Sequence, residues 1–388
     1  MHPNILLHNI PGANEQSNLP MRYNALFPIR EVPMPELPEI GKISPEIFEE
    51  LIYPRLGAVS KHILVGPQHG VDVGIVEIGG KAVAMTADPV FIVPEYGWER
   101  AAWFAIHILA SDVVTSGLPP TYLSIDLNLP LSMTKEQLTI VWETIHRECV
   151  KMDMAVVCGH TARYDNCNYP MVGGATVMAV GDLDKYVSPT FAAPGDKVIV
   201  TKGPAVEACG IFAAMFPKYL AKKFGKPFSD RAQHLFYKMS VVEDARAAAA
   251  IGVRDGGVTC MHDATECGIW GGLYEIAQAA DVGMRVERDA IVVEEGVREI
   301  CSLFGMEPYS SISEGTLLLT CRPHKAEAVV HVLADKGIRA SIVGELIPKE
   351  KGMMLVEKGR ERPLEHPRVD PFWKAFYNAL GRYAELES

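Results

Sequence analysis

The stretch "GVDVGIVEIGGKAVAMTADPV", Gly70 to Val90, decides the fold. Val71, Val73, Ile75, Val76 and Ile78, then Ala82, Val83, Ala84 and Met85, read as two strands joined by a Gly79-Gly80 turn. Two carboxylates interrupt this apolar hairpin. Asp72 falls inside the first predicted strand, and Asp88 ends the second. Carboxylates are poor core residues unless they are paired or hold a metal ion.

Outward from the hairpin, apolar and polar segments alternate in a helix-and-strand order. "GKISPEIFEELIYPRLG" predicts a helix with Ser44 as N-cap, Pro45 at the first position and Gly57 as its stop. "GWERAAWFAIHILASDVVTSG" predicts a strongly apolar helix, and "TYLSIDLNLP" alternates as a strand. "TKEQLTIVWETIHRECVKMD" predicts an amphipathic helix capped by Thr134, with Gln137 in capping-box position. "MAVVCGH" and "PMVGGATVMAVG" predict two more strands around a polar loop, so residues 41–182 read β-β-α-β-α-β-β. A second run begins at "APGDKVIVTKG" with a strand, a glycine turn, a helix and a basic helical stretch. A long helix over "SDRAQHLFYKMSVVEDARAAAAIG" and further alternating elements to "RASIVGELI" complete it. The expectation is an α+β protein of two similar-sized domains, residues 41–185 and 186–350. They are preceded by an extended, proline-rich arm at 1–40 and followed by a tail helix over 351–388.

Composition narrows the class. Of 388 residues, 48% are hydrophobic and 22% charged, enough for sizeable cores in a soluble protein. A net charge of −11 argues against a general nucleic-acid binder, which would place Lys and Arg against phosphates. No apolar run has the length of a membrane span, the N-terminus lacks a signal-peptide pattern, and the eight cysteines are scattered. The expected compartment is the cytoplasm.

Four positions share one context, an apolar segment followed by a polar turn: Asp72, Asp88, Asp112 in "HILASDVVTSG", and His160 in "VVCGHTARYDN". Taken singly, each Asp also reads as a helix cap or turn residue. Taken together, strand-end acids suit Mg²⁺, which takes one or two carboxylates and completes its octahedron with phosphate oxygens and water. "TKGPAVEACG" (Thr201-Lys202-Gly203) and "HDATECGIWGG" each lead into a helix whose free N–H groups suit an anion, or simply a cap. The Cys-x-His pairs in "VVCGH" and "TCMH" fall in different predicted domains, which speaks for buried thiols over a zinc site.

In combination these motifs resemble the AIR-synthase superfamily, which includes the hydrogenase maturation factor HypE, selenophosphate synthetase, thiamine-phosphate kinase and formylglycinamidine synthase. The closest likeness is to HypE-like, AIR-synthase-related proteins. "LVGPQHGVDVGIVEIGG", "AMTADPVF", "HILASDVVTSGLPP", "VVCGHTAR", "APGDKVIVTKGPAVEACGIFA", "MHDATECGIWGGLYEIAQAADVGMRV", "SISEGTLLLTCRP" and "IVGEL" carry it, over about residues 41–346. The resemblance implies a PurM-like fold, with an α/β-type N-terminal domain whose strands form a barrel across a homodimer, and an α+β C-terminal domain. It implies ATP and Mg²⁺ as cofactors. Asp72, Asp88 and Asp112 would be metal ligands, with Asp88, Asp112 and His160 catalytic. Gly41, Lys42, Thr201, Lys202, Gly203 and Asp263 would bind the nucleotide. The implied activity is phosphoryl transfer from ATP, or ATP hydrolysis, activating a small-molecule or protein-thiol substrate. The alternative is a catalytically reduced maturation or scaffold protein acting through a partner protein. Three departures bear on this choice. No cysteine follows Cys321, where HypE carries a reactive terminal cysteine. His160 and Ala162 replace residues common in the "GGDT" turn of relatives. Cys267 replaces one glycine of a Gly-Gly pair.

Overall fold

The computed structural model describes Ile43 and residues 45–388, so the arm at 1–40, Gly41, Lys42 and Ser44 lie outside the described residues. The chain divides into two compact units, Met1–Gly57 and Ala58–Ser388. In the first, α1 (Pro45–Ile47) opens into a wide turn over Phe48–Ile52 and tightens over Tyr53–Arg55. One regular helix was expected here. Pro54 lacks the N–H that would continue the ladder, and the Arg55 guanidinium bonds the Glu50 and Leu51 carbonyls at 3.2 and 3.1 Å.

The second unit contains two sheets. The first is built from β1 (Ile63–Val65), β2 (Gly74–Ile78), β3 (Lys81–Phe91), β4 (Pro120–Pro130), β5 (Ala155–Tyr164) and β6 (Met171–Asp182), in the order β1-β2-β3-β6-β4-β5. Helices α2 (Trp98–Val114) and α3 (Lys135–Met152) accompany it. The Thr134 capping box forms as expected, through both the side-chain and backbone bonds. The β2–β3 hairpin turns at Gly79-Gly80 with Ile78 opposite Lys81. Asp72 precedes the strand instead of lying inside it, and Asp88 lies within β3 instead of ending it. The strand runs on because β2 stops opposite Met85, so residues 86–91 pair only with β6 and Pro89 keeps its N–H-less side unpaired.

The second sheet has the order β13-β12-β9-β11-β7-β10-β8. Its strands are β7 (Lys197–Thr201), β8 (Val258–Asp263), β9 (Gly283–Glu287), β10 (Leu317–Cys321), β11 (Ala340–Ile347), β12 (Met353–Glu357) and β13 (Arg360–Pro363). Helices α4 (Val206–Met215), α5 (Pro217–Phe224), α6 (Lys226–Ala232), α7 (Val242–Ala250), α8 (Gly268–Ala279), α9 (Val297–Phe304) and α10 (Ala326–Asp335) connect these strands or pack on them. Two expectations change. The long helix over 229–252 is broken between α6 and α7, where the Lys202 ammonium takes the carbonyls of Lys238 and Ser240 at 3.3 and 2.6 Å. The tail over 351–388 is not all helix. β12 and β13 form a hairpin before α11 (Pro371–Leu380) and α12 (Tyr383–Leu386). The aromatic core joins α4, α9 and α11, with Phe212 stacked on Phe304 at 3.9 Å and edge-on to Phe372 at 5.7 Å.

Among the described residues, no helix is long and apolar enough to cross a membrane.

Candidate functional site

The site grows from strand alternation. In β3, Ala82, Ala84, Thr86 and Val90 face the core. Asp88 shares their parity and so turns inward beside Thr86. The Thr86 hydroxyl donates to Asp112 Oδ2 at 2.9 Å, which fixes the last turn of α2 against β3. Asp88 lies within hydrogen-bonding reach of Asp112. Burial pushes the Asp112 carboxyl well above the usual range, and the charges of Asp263, Asp88 and Asp72 push it further.

The second sheet delivers the rest. β8 ends on His262 and Asp263, both buried. His262 Nδ1 bonds Asp72 Oδ2 and His262 Nε2 bonds Glu275 Oε2, each at 2.7 Å. Burial opposes the imidazolium, but the two flanking carboxylates outweigh it and raise the His262 pKa well above its ordinary value. Asp72, His262 and Asp263 bring ligand atoms within 4.8 Å of one another. Asp263 is fully buried, and its carboxylate oxygens meet no N–H or hydroxyl donor, only the neighbouring carboxyls of Glu314 and Asp72. Burial and the Asp72 charge raise its pKa to about 7, with His262 opposing.

Glu314 and Glu207 extend the acidic array. Glu314 Oε2 is buried without a donor, while the Glu314 N–H donates to Glu207 Oε2 at 3.0 Å. Burial raises both carboxyls. Asp263, Glu207 and Asp112 add to the rise at Glu314, and Asp370, Asp263 and Glu266 to that at Glu207, which reaches about 8. Buried carboxylates without donors suit a hard cation, since a bound ion replaces mutual repulsion by attraction. Asp263 therefore suits Mg²⁺ together with Asp72, whose Oδ2 also bonds His262, and Asp88 and Asp112 are further carboxylates close by.

Thr201, Lys202 and Gly203 form a buried knot. Thr201 Oγ1 accepts the Leu317 N–H at 3.0 Å. The Lys202 ammonium contacts Ser240 O and Gly315 O at 2.6 Å each and Asp244 Oδ2 at 3.0 Å. Gly203 has φ +88, and a Cβ there would lie 1.9 Å from Val292 O. Lys202 thus spends its charge on the interior of the protein.

His160 does not join Asp88 and Asp112. The rows Asp88–Ala175–Ile125–Gly159 and Pro89–Gly174–Asp126–His160 are adjacent, so the two side chains take opposite faces of the sheet. On the outward face His160 bonds the Tyr164 hydroxyl at 3.1 Å and helps line a groove of about 690 Å³ with Ser124, Asp126, Cys158 and Thr176, a groove whose wall also includes Asp88. Sequence reasoning weighed His262 only within the Cys-x-His pair of "TCMH", and missed Glu275, Glu207, Glu314 and Asp126. Their available signal was a charged residue inside an apolar strand or helix start, as in "TCMHD", "AVEACG" and "SEGTLLL".

Two family models match this chain, the AIR synthase related protein N-terminal domain over residues 70–182 and the C-terminal domain over 193–357. The chain belongs to the AIR synthase related family. Asp72, Asp88 and Asp112 fall in the N-terminal match and Asp263, Glu207 and Glu314 in the C-terminal one. A putative hydrogenase expression/formation protein of Methanocaldococcus jannaschii is 22% identical over 335 residues, covering 85% of this chain and 96% of the relative. A HypE–HypF complex contains a chain of similar fold, with TM-score 0.65 and 19% identity over 83% of this chain and 99% of that one. HypE in complex with ATP matches at TM-score 0.59 and 20% identity, over 86% and 97%. The fold is accordingly the mixed α/β, two-domain, PurM-like fold.

Proposed function

We propose that this chain binds ATP with Mg²⁺ at the buried acid array and activates a second substrate by phosphoryl transfer or ATP hydrolysis. The observation that carries this reading is Asp263, fully buried with no N–H or hydroxyl donor on either carboxylate oxygen and with the carboxyls of Asp72 and Glu314 against it. When bound, Mg²⁺ would neutralise phosphate oxygens and the charge developing on them. The chain's own residues hold and orient. Asp72, Asp88, Asp112 and Asp263 present carboxylates, Thr86 fixes Asp112, and His262 braces Asp72 against Glu275. The relative with bound ATP and the family match support the nucleotide. Calorimetry with ATP and Mg²⁺, together with ADP release, tests the proposal. Wild type should bind and turn over, and Asp88→Ala should do neither while keeping its fold. No binding by wild type would end the reading.

A second reading is a scaffold that binds nucleotide without turnover and acts through a maturation partner; that a protein of this fold is found in a HypE–HypF complex supports the partner. The internal pairing of Lys202 favours it, because that ammonium does not serve a phosphate. Nucleotide binding without ADP release would select it.

We further propose a homodimer through the first sheet. β5 is an edge strand, and Val156, Val157 and Tyr164 on it are exposed, as are Tyr122, Leu131 and Met171 nearby. An uncovered apolar edge is a template for pairing.

A further inference from the structure

Residues 358–388 lie beyond both family-model matches, yet part of this segment bonds the loop that follows Asp263. Leu364 is buried in the apolar cluster of the second sheet, and the chain then turns at Asp370 into α11. Asp370 is itself buried. Its Oδ1 accepts the Phe372 N–H at 2.8 Å, capping α11, and its Oδ2 accepts the Cys267 N–H at 2.7 Å. Three residues on, the Trp373 indole N–H donates to Glu266 Oε1 at 3.0 Å. Both bonds grip the loop Ala264–Cys267, which joins Asp263 at the end of β8 to the start of α8.

That loop needs a grip. Cys267 has φ 63, a left-handed backbone that disfavours any residue with a Cβ, and Gly268 follows at φ 58. Such a conformation persists only where its surroundings over-determine it. The loop's inner side is held by the Ala264 N–H to Thr316 O at 2.9 Å and by the Ser313 N–H to Thr265 O at 3.3 Å. Its outer side is held by Asp370 and Trp373. The far end of the segment is anchored too. Glu387 accepts the backbone N–H groups of Lys218 and Tyr219 at 3.3 and 3.0 Å, and Phe372 packs on Phe212 of α4, the helix that carries Glu207.

We propose that Asp370, assisted by Trp373, is a positioning residue that clamps the Ala264–Cys267 loop and thereby aims Asp263 into the acid array. This inference rests on the reading that the array binds Mg²⁺ and ATP. The clamp touches neither nucleotide nor metal and acts through the loop backbone. It makes the segment beyond the family match a working wall of the site.

The experiment uses the full chain and three variants, Asp370→Ala, Asp370→Asn and Trp373→Phe. Calorimetry gives the affinity for ATP at fixed Mg²⁺ and for Mg²⁺ at fixed ATP, thermal denaturation gives the fold, and amide exchange follows residues 263–268. Trp373→Phe keeps the ring packing and removes one bond to a carboxylate. It should leave the melting temperature near wild type and weaken the apparent Mg²⁺ affinity about three- to tenfold, with faster exchange in the loop. Asp370→Ala should weaken it about tenfold or more. Asp370→Asn should recover part of the loss, since one amide oxygen can accept one of the two N–H groups. Should Asp370→Ala not fold, Trp373→Phe decides. Wild-type metal affinity and loop exchange in a folded Trp373→Phe, or in a folded Asp370→Ala, would overturn the clamp alone. Failure of the wild type to bind ATP and Mg²⁺ would overturn the function reading, and the clamp with it.

Discussion

Asp263→Asn separates the energetics of the acid array itself from its binding of metal. Asp263 is fully buried, and its carboxyl is raised from an ordinary 3.8 to about 7 by burial and by Asp72. A raised carboxyl costs nothing below the unfolded pKa, where it is protonated in both states. As pH rises through 3.8 the unfolded chain ionises while the folded one holds its proton, and the difference accumulates until the folded group ionises near 7. At about 1.4 kcal/mol per pH unit, the metal-free protein loses on the order of 4 kcal/mol across that window through this group. Asparagine carries no such cost, and its amide can donate to the neighbouring carboxylates. In EDTA at about pH 8 the variant should be a few kcal/mol more stable than wild type by urea titration, the difference shrinking towards about pH 4. With Mg²⁺ present the order should reverse, because only the wild type gains from binding. A variant no more stable than wild type in EDTA, or one that Mg²⁺ stabilises equally, would refute the reasoning.

Other outcomes follow from the same geometry. Lys202→Met should cost about 3–5 kcal/mol in denaturant titrations, because buried Asp244 would lose its partner ammonium. His160→Ala should change the apparent Mg²⁺ affinity by no more than about twofold, since it faces away from Asp88. A tenfold loss would contradict the strand parity. Phe212→Ala removes a ring stacked at 3.9 Å on Phe304 and should lower stability by about 3–5 kcal/mol in the same titrations. Val157→Asp on the exposed edge strand should turn a dimer into a monomer by light scattering, with the fold kept by circular dichroism.

The hairpin at Gly79-Gly80, helices α2 and α3, and the strand–turn–helix order of the second sheet were legible because apolar periodicity and capping chemistry are local signals. Asp72, Asp88 and Asp112 stood out for the related reason that acids in apolar segments demand an explanation, whereas Asp263 came only from the family resemblance. What was not legible depends on distant contacts. The break between α6 and α7 carries no glycine or proline, and the interruption comes from Lys202, more than thirty residues away in sequence. The face that His160 takes depends on its register with β4, which its own segment does not encode. Glu207 and Glu314 each read as an ordinary first-turn or loop acid until folding placed the Glu314 N–H on the Glu207 carboxylate.

The register between β3 and β6 makes the chemistry of this sheet a matter of odd and even. Asp88 opposite Ala175 is an inward residue, and its neighbours Ala87 and Pro89 are outward ones. Inserting one residue between the Gly79-Gly80 turn and Asp88 would turn the carboxylate to the outward face of the sheet and put the Ala87 methyl group in its place, with the amino-acid content almost unchanged. A change in length is thus more dangerous in this strand than many changes of side chain. The two-glycine turn, which carries no chemistry of its own, keeps the count on which the site depends.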